Sequence, residues 1–333
     1  MTAASEESAE VGVRPARTRK AVLIDIARYA AVVIVVIAAI YALWMNWSAV
    51  TRTLTAIPVD RAILSALAVL GGICAATMSW QVLVDDFGAP IGVGRGAQIF
   101  LVGQLGKYIP GSVWAYLLQI ELGNKAGLSR ARVFAATFFS ICVAMVAALL
   151  AGALALNELI TENPALQPLA WAYLLLPVAL VLLYPKILTR IVLLAFRILR
   201  RPRPDHPVRL VTVATALAWA VGSYLLYGLH LWLLIVPEDM PPLNALALCI
   251  GTMAIALISG IFVFFLPSGI GVRELIIVTG VSVIAGVGPA VAYATLSRAL
   301  FTVADLVSAG AAALVAVIAR RKLGRYEGES TAP

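Results

Sequence analysis

The chain has 333 residues, of which 62% are hydrophobic and 13% charged, with a formal net charge of +8. Soluble domains carry about 25% charged residues, so the composition excludes an ordinary soluble protein: there are too few charges to coat a water-facing surface. The basic residues lie in short segments between apolar stretches, which argues against nucleic acid as a partner and fits the cytoplasmic loops of a membrane protein.

Residues 1–25 are predicted to be a disordered cytoplasmic tail, polar and rich in Ala, Glu, Ser and Arg up to Lys20. The apolar segment after them is too long for a signal-peptide core and lacks a small-residue cleavage site, so it reads as a retained first helix. Crossing the hydrocarbon takes roughly 20 apolar residues as a helix. Six segments qualify: about Ile26–Trp47, Ala62–Val84, Val133–Leu156, Leu169–Leu193, Leu210–Val236 and Pro289–Ala319. Trp44 and Trp47 read as interfacial anchors closing the first. The membrane domain is thus expected over 26–319, with halves of about 26–156 and 169–319, and 320–333 as a cytoplasmic tail.

Two further apolar stretches are interrupted. Ile99–Leu118 carries Lys107 and is cut by Pro110-Gly111, and about Leu243–Val287 is cut by Leu266-Pro-Ser-Gly-Ile-Gly-Val-Arg-Glu274. Pro and Gly break a helix and free backbone groups, which inside a bilayer must be satisfied by protein or by a water-filled cavity. Both stretches read as re-entrant helical hairpins, the alternative being ordinary Pro-kinked spans. Gln104 and Gln119 flank the first break and are candidates to satisfy its backbone.

With the N-terminus inside and each broken stretch returning to its side of entry, most of the 25 lysines and arginines become cytoplasmic. This predicts a multi-pass protein of a bacterial inner membrane with both termini cytoplasmic. The order span, span, broken hairpin, span then occurs twice. The interval from Pro110 to Pro267 equals the interval between the starts of the following spans, near 132 and 289. Each half crosses three times, so the second is inverted. The expected fold is an all-α polytopic bundle of six full spans plus two broken hairpins in inverted repeats, the sequence pointer to a transport site near the midplane.

Charges inside a membrane are costly and usually functional or paired. Lys107 either points into the bundle or snorkels to the interface. Arg273 and Glu274 follow the second break, where the backbone of Ser268, Gly269 and Gly271 meets a helix N-terminus. That combination suits an anion, the alternative being an Arg–Glu pair closing the turn. Arg298 and Asp305 lie two turns apart on the last helix, so each needs a partner elsewhere: Glu274 for Arg298 and Lys107 for Asp305. A substrate site and a structural network remain the two readings. His230 reads as a hydrogen-bonded core residue rather than a proton relay. Cys74, Cys142 and Cys249 all sit in apolar segments, and the two histidines form no cluster with them, so no metal or cofactor is expected. The chain has no Walker A loop, H-E-x-x-H, G-x-S-x-G or Asp-x-Asp cluster, and no enzymatic activity is expected of it.

The stretches Gly103-Gln-Leu-Gly-Lys-Tyr-Ile-Pro-Gly-Ser-Val-Trp114 and Leu266–Glu274 resemble the two signatures of the lysylphosphatidylglycerol synthase transmembrane family, and the resemblance spans about Ala27–Ala319. The family often has Pro-Gly-Gly where this chain has Pro-Ser-Gly, and it tends to place an arginine where Arg298 stands. The resemblance implies lipid translocation between leaflets but carries over no substrate, its relatives being associated with varied lipids that include glycosylated polyprenyl phosphates. The residues themselves offer Lys107, Pro110, Gly111, Ser268, Gly269, Gly271, Arg273, Glu274, Arg298 and Asp305 as candidate contacts for the anionic phosphate headgroup of a membrane lipid, a phospholipid or a polyprenyl-phosphate-linked one. Members with a soluble aminoacyl transferase domain carry it after the membrane part; here only Arg320–Pro333 follow, so synthesis of the aminoacylated lipid is not expected of this chain. The alternative is a membrane scaffold for a separately encoded lipid-modifying enzyme or glycosyltransferase, docked through the basic Lys186–Arg209 loop. A homo-oligomer is the other partner expectation.

Overall fold

The computed structural model describes residues 47–109, 113–162, 208–235, 240–262 and 267–330, with Trp44 and scattered positions between 167 and 190. Pro110, Gly111, the 1–25 tail, nearly all of the Ile26–Trp47 span and most of the Lys186–Arg209 loop lie outside the described residues. The Leu169–Leu193 span does so in part. Among the described residues every regular element is helical. A short α1 (Trp47–Ala56) leads into α2 (Val59–Asp86). The first broken stretch follows as α3 (Val93–Gln104), a 3-10 turn (Leu105–Tyr108) and α4 (Val113–Lys125). Then come α5 (Arg130–Glu162), the seven-residue α6 (Leu176–Leu182) and α7 (Leu210–Leu234). The second broken stretch is α8 (Pro242–Phe262), a 3-10 turn (Pro267–Gly269) and α9 (Val272–Ala285), and α10 (Val287–Ser330) ends the chain.

Among the described residues five helical segments are long and apolar enough to cross a membrane: Val59–Asp86, Arg130–Leu156, Leu210–Leu234, Pro242–Gly260 and Val287–Ile318. Four of them match expected spans. The fifth is the first arm of the second broken stretch, which is expected from the sequence as part of a re-entrant hairpin and is by itself long enough to span. By contrast α3, α4 and α9 have 12, 13 and 14 residues. At 1.5 Å per residue each is about 20 Å long, short of a hydrocarbon core of about 30 Å. The region beyond 319, expected as a tail, continues α10 as helix to Ser330.

The helices bury one face and leave the other apolar. Trp80, Leu83 and Val84 of α2 are fully buried, whereas Ile63, Leu64 and Leu67 of the same helix are exposed. On α10, Phe301, Ala304 and Asp305 face inward while Val303, Leu306, Val307, Leu314 and Ile318 face out. An outer surface of Leu, Val and Ile with polar groups inside is the arrangement lipid requires and water penalises.

Packing between the halves is reciprocal. The second spans, α2 and α7, lie against each other; α5 lies on α8, and its counterpart α10 lies on α3. The two 3-10 turns touch at the centre. Each hairpin closes on glycine. A Cβ at Gly106 would stand 2.6 Å from the backbone nitrogen of Ala115, and one at Gly269 would stand 2.7 Å from the Cα of Gly260. The Gly103-x-x-Gly106 spacing of the first signature thus lets α4 approach the turn, since a Cβ at Gly103 would strike the Gln119 side chain.

Candidate functional site

The two breaks deliver the charged residues to one place. In the first, the chain leaves the 3-10 turn through Ile109 in extended conformation (φ −82°, ψ 133°), with Lys107 and Tyr108 on the turn. In the second, Ser268 (φ 51°), Gly269 (φ 66°) and Gly271 (φ 90°) run through the left-handed region before α9 starts. That conformation suits glycine and strains serine.

Both ion pairs expected from the sequence form. Lys107 Nζ lies 2.7 Å from Asp305 Oδ2, with side chains 27% and 8% exposed. Tyr108 donates its hydroxyl to the same oxygen at 2.6 Å. Arg298 Nη1 lies 3.3 Å from Glu274 Oε1 and donates to the Ser268 carbonyl at 3.0 Å. Lys107 therefore points inward, as one of its two readings required. The last helix clamps the first break through Asp305 and the second through Arg298.

The N-terminus of α9 is not open to an anion in the way its sequence suggested. Glu274 Oε2 accepts the Gly271 N–H at 2.6 Å, so the helix caps itself with its own carboxylate. Glu274 closes the turn, but its arginine is Arg298 rather than its neighbour Arg273. Arg273 is left separate. Its residue is 5% exposed, its guanidinium lies 4.1 Å from the centroid of Phe301, and its Nε and Nη2 have no hydrogen-bond partner among the described residues. Phe301 is in turn held by Tyr227 at 5.0 Å and by His230 at 5.5 Å between ring centroids.

Arg273, Lys107, Asp305 and Ser268 line a cavity of about 250 Å³ with residues from α2, α3, α4, α5, α7 and α8. Away from the charges its wall is mostly apolar, including Ile73, Trp80, Phe100 and Leu257, with Tyr116, Gln119, Ser140 and Tyr224 as polar groups among them. Gln119 does not serve the broken backbone as expected. Its Oε1 accepts from Thr137, whose hydroxyl accepts from Trp80 Nε1, and its Nε2 has no partner among the described residues. Gln104 lines the cavity. His230 is a core residue: Nδ1 meets Ser65 Oγ at 2.7 Å and Nε2 meets Ser297 Oγ at 2.9 Å, tying α7 to α2 and α10. Among the described residues no group of His, Cys, Asp and Glu could hold a metal. Tyr108, Phe301 and Thr137 were not foreseen, because an aromatic or a threonine in an apolar helix carries no signal of its own.

Lipid-facing leucines outside and paired charges inside define a multi-pass membrane protein, with a largely apolar cavity that carries charged side chains at the junction of two broken helices. The family model described as lysylphosphatidylglycerol synthase TM region matches residues 30–318, and the chain belongs to that family. Membership indicates a membrane, lipid-related function. No curated protein matches the chain.

Proposed function

We propose that this chain is a lipid flippase, moving a lipid with an anionic phosphate headgroup between leaflets. The observation that carries the reading is Arg273: a residue 5% exposed, lining a cavity inside a membrane bundle, with two N–H-bearing nitrogens unpaired among the described residues. An unpaired buried charge is costly and is retained where a ligand supplies the partner, and a phosphate suits a guanidinium fork. The reciprocal packing of α5 on α8 and α10 on α3 supports two inverted repeats with re-entrant breaks, which would rock or gate around the chamber. Lys107 and Arg298 extend the positive field, and Glu274 and Asp305 balance it. The basic loops support cytoplasmic termini in a bacterial inner membrane, and the absence of catalytic motifs supports transport rather than catalysis.

The test is translocation of labelled anionic phospholipid in reconstituted vesicles. Arg273→Ala is expected to slow it at least about tenfold, the worth of one charge-assisted contact, with the folded bundle retained on size-exclusion chromatography. Arg273→Lys should recover part of the rate. Unchanged translocation in Arg273→Ala would overturn the proposal.

A further inference from the structure

Arg298, Phe301 and Asp305 follow one another on α10 at spacings of three and four, which puts them on one face of the helix. Each takes a charged residue of an interrupted stretch. Asp305 takes Lys107 and Arg298 takes Glu274, both by ion pairing. Phe301, between them, takes Arg273 with its ring, the guanidinium carbon standing 4.1 Å from the ring centroid. Among the described residues no acid pairs with Arg273: Asp305 is held by Lys107 and Tyr108, and Glu274 by Gly271 and Arg298. The aromatic ring is thus the direct compensation that these residues give a buried charge, and a cation on a ring gains strength away from water.

A carboxylate in the place of that ring would neutralise Arg273, use up N–H groups of its fork and repel a phosphate. A ring stabilises the cation through its π face and leaves the N–H groups, which radiate in the guanidinium plane, for another ligand. Nε and Nη2 are without a partner among the described residues. The ring itself is fixed. Phe301 is 4% exposed and lines the cavity together with Arg273. Tyr227 packs on it at 5.0 Å, and His230 meets it edge-on at 5.5 Å with the planes at 81°. His230 is locked in turn by Ser65 and Ser297. A chain of contacts therefore runs from α2 through α7 to Phe301 and holds the shelf on which Arg273 rests.

Resting on the phosphate-lipid reading, we infer that Phe301 is the positioning residue of the site: its ring holds the Arg273 guanidinium at the cavity wall and stays in contact when a phosphate takes the N–H edge. The contact concerns the phosphate alone and is the same whatever group the phosphate carries. The purified full chain in detergent is titrated by calorimetry with dihexanoyl phosphatidic acid, which has the phosphate and no further headgroup. Phe301 is replaced by leucine and, through nonsense suppression, by mono-, tri- and pentafluorophenylalanine. Fluorine withdraws π density and nearly keeps the size of the ring, so a role in packing alone would leave the series flat. It also keeps the assignment testable if Phe301→Leu does not fold. Affinity is expected to fall stepwise with fluorination, reaching a loss of about tenfold in the pentafluoro and Phe301→Leu proteins. In the ligand-free protein, fluorination should lower Tm, and in an Arg273→Met background it should not. A flat affinity series, or a Tm that falls equally without Arg273, reduces the ring to packing and overturns the inference. Binding that tightens with fluorination means that the phosphate displaces the ring, which overturns it as well. If the parent chain does not bind the lipid, or Arg273→Ala binds it equally, it is the phosphate site itself that fails.

Discussion

Lys107 and Asp305 meet at 2.7 Å, joining the break of the first interrupted stretch to the last helix of the chain. Tyr108, the next residue, bonds the same carboxylate oxygen at 2.6 Å. One buried acid thus secures two consecutive residues of the 3-10 turn.

Removing that acid strands a cation. Asp305→Ala is expected to destabilise the bundle by about 2–3 kcal/mol. This is below the 3–5 kcal/mol of a fully buried pair, because Lys107 keeps some access to solvent. The Lys107→Met, Asp305→Met double variant should recover most of the loss. Unfolding in mixed micelles checks both, and an Asp305→Ala protein as stable as the parent would show that the pair contributes nothing.

Ser268 carries a side chain at φ 51°, where a Cβ is strained. Ser268→Gly is expected to raise stability by up to about 1 kcal/mol, the relief of strain less the greater flexibility of glycine. The Arg298 bond to the Ser268 carbonyl survives, since it is a backbone contact. A fall in melting temperature would contradict the strain argument.

Gly106 and Gly222 make a matched pair. Alanine at Gly106 would meet the Ala115 backbone nitrogen at 2.6 Å, and a backbone atom cannot swing aside; alanine at Gly222 meets nothing within 4 Å. Gly106→Ala should prise α4 from the turn and sharply lower the yield of folded protein. Gly222→Ala, inside α7, should be neutral or stabilising by about 0.5–1 kcal/mol. Fluorescence-detected size-exclusion chromatography with heating separates the two.

His230→Phe leaves the Ser297 hydroxyl without its partner, while Ser65 keeps its bond to the main-chain carbonyl of residue 230 at 3.2 Å, and the change is expected to cost about 1–3 kcal/mol. Adding Ser297→Ala should return much of it, since removing both partners together leaves no orphan. A double variant no more stable than the single one would mean that ring packing on Phe301 dominates.

The ion pairs were legible in the sequence because charges are rare in these apolar segments, and a charge within a membrane must find its opposite. The partner of Arg273 was not. Arg273 and Glu274 are adjacent, so they stand about 100° apart around α9, and only the packing of α9 against α8 and α10 decides which faces inward. Glu274 turned to its own helix N-terminus and to Arg298, leaving Arg273 against Phe301. The length of α8 was obscured for a different reason: a break at 267 marks where a helix stops and says nothing of how far its arm reaches before it.

Arg298 and Asp305 stand about 10 Å apart along one rigid rod, each fastened to a different break. The last helix therefore acts as a camshaft. Any sliding or rotation of it pulls on both interrupted segments at once, so the two sides of the chamber share one moving part and cannot be released independently without first giving up an ion pair.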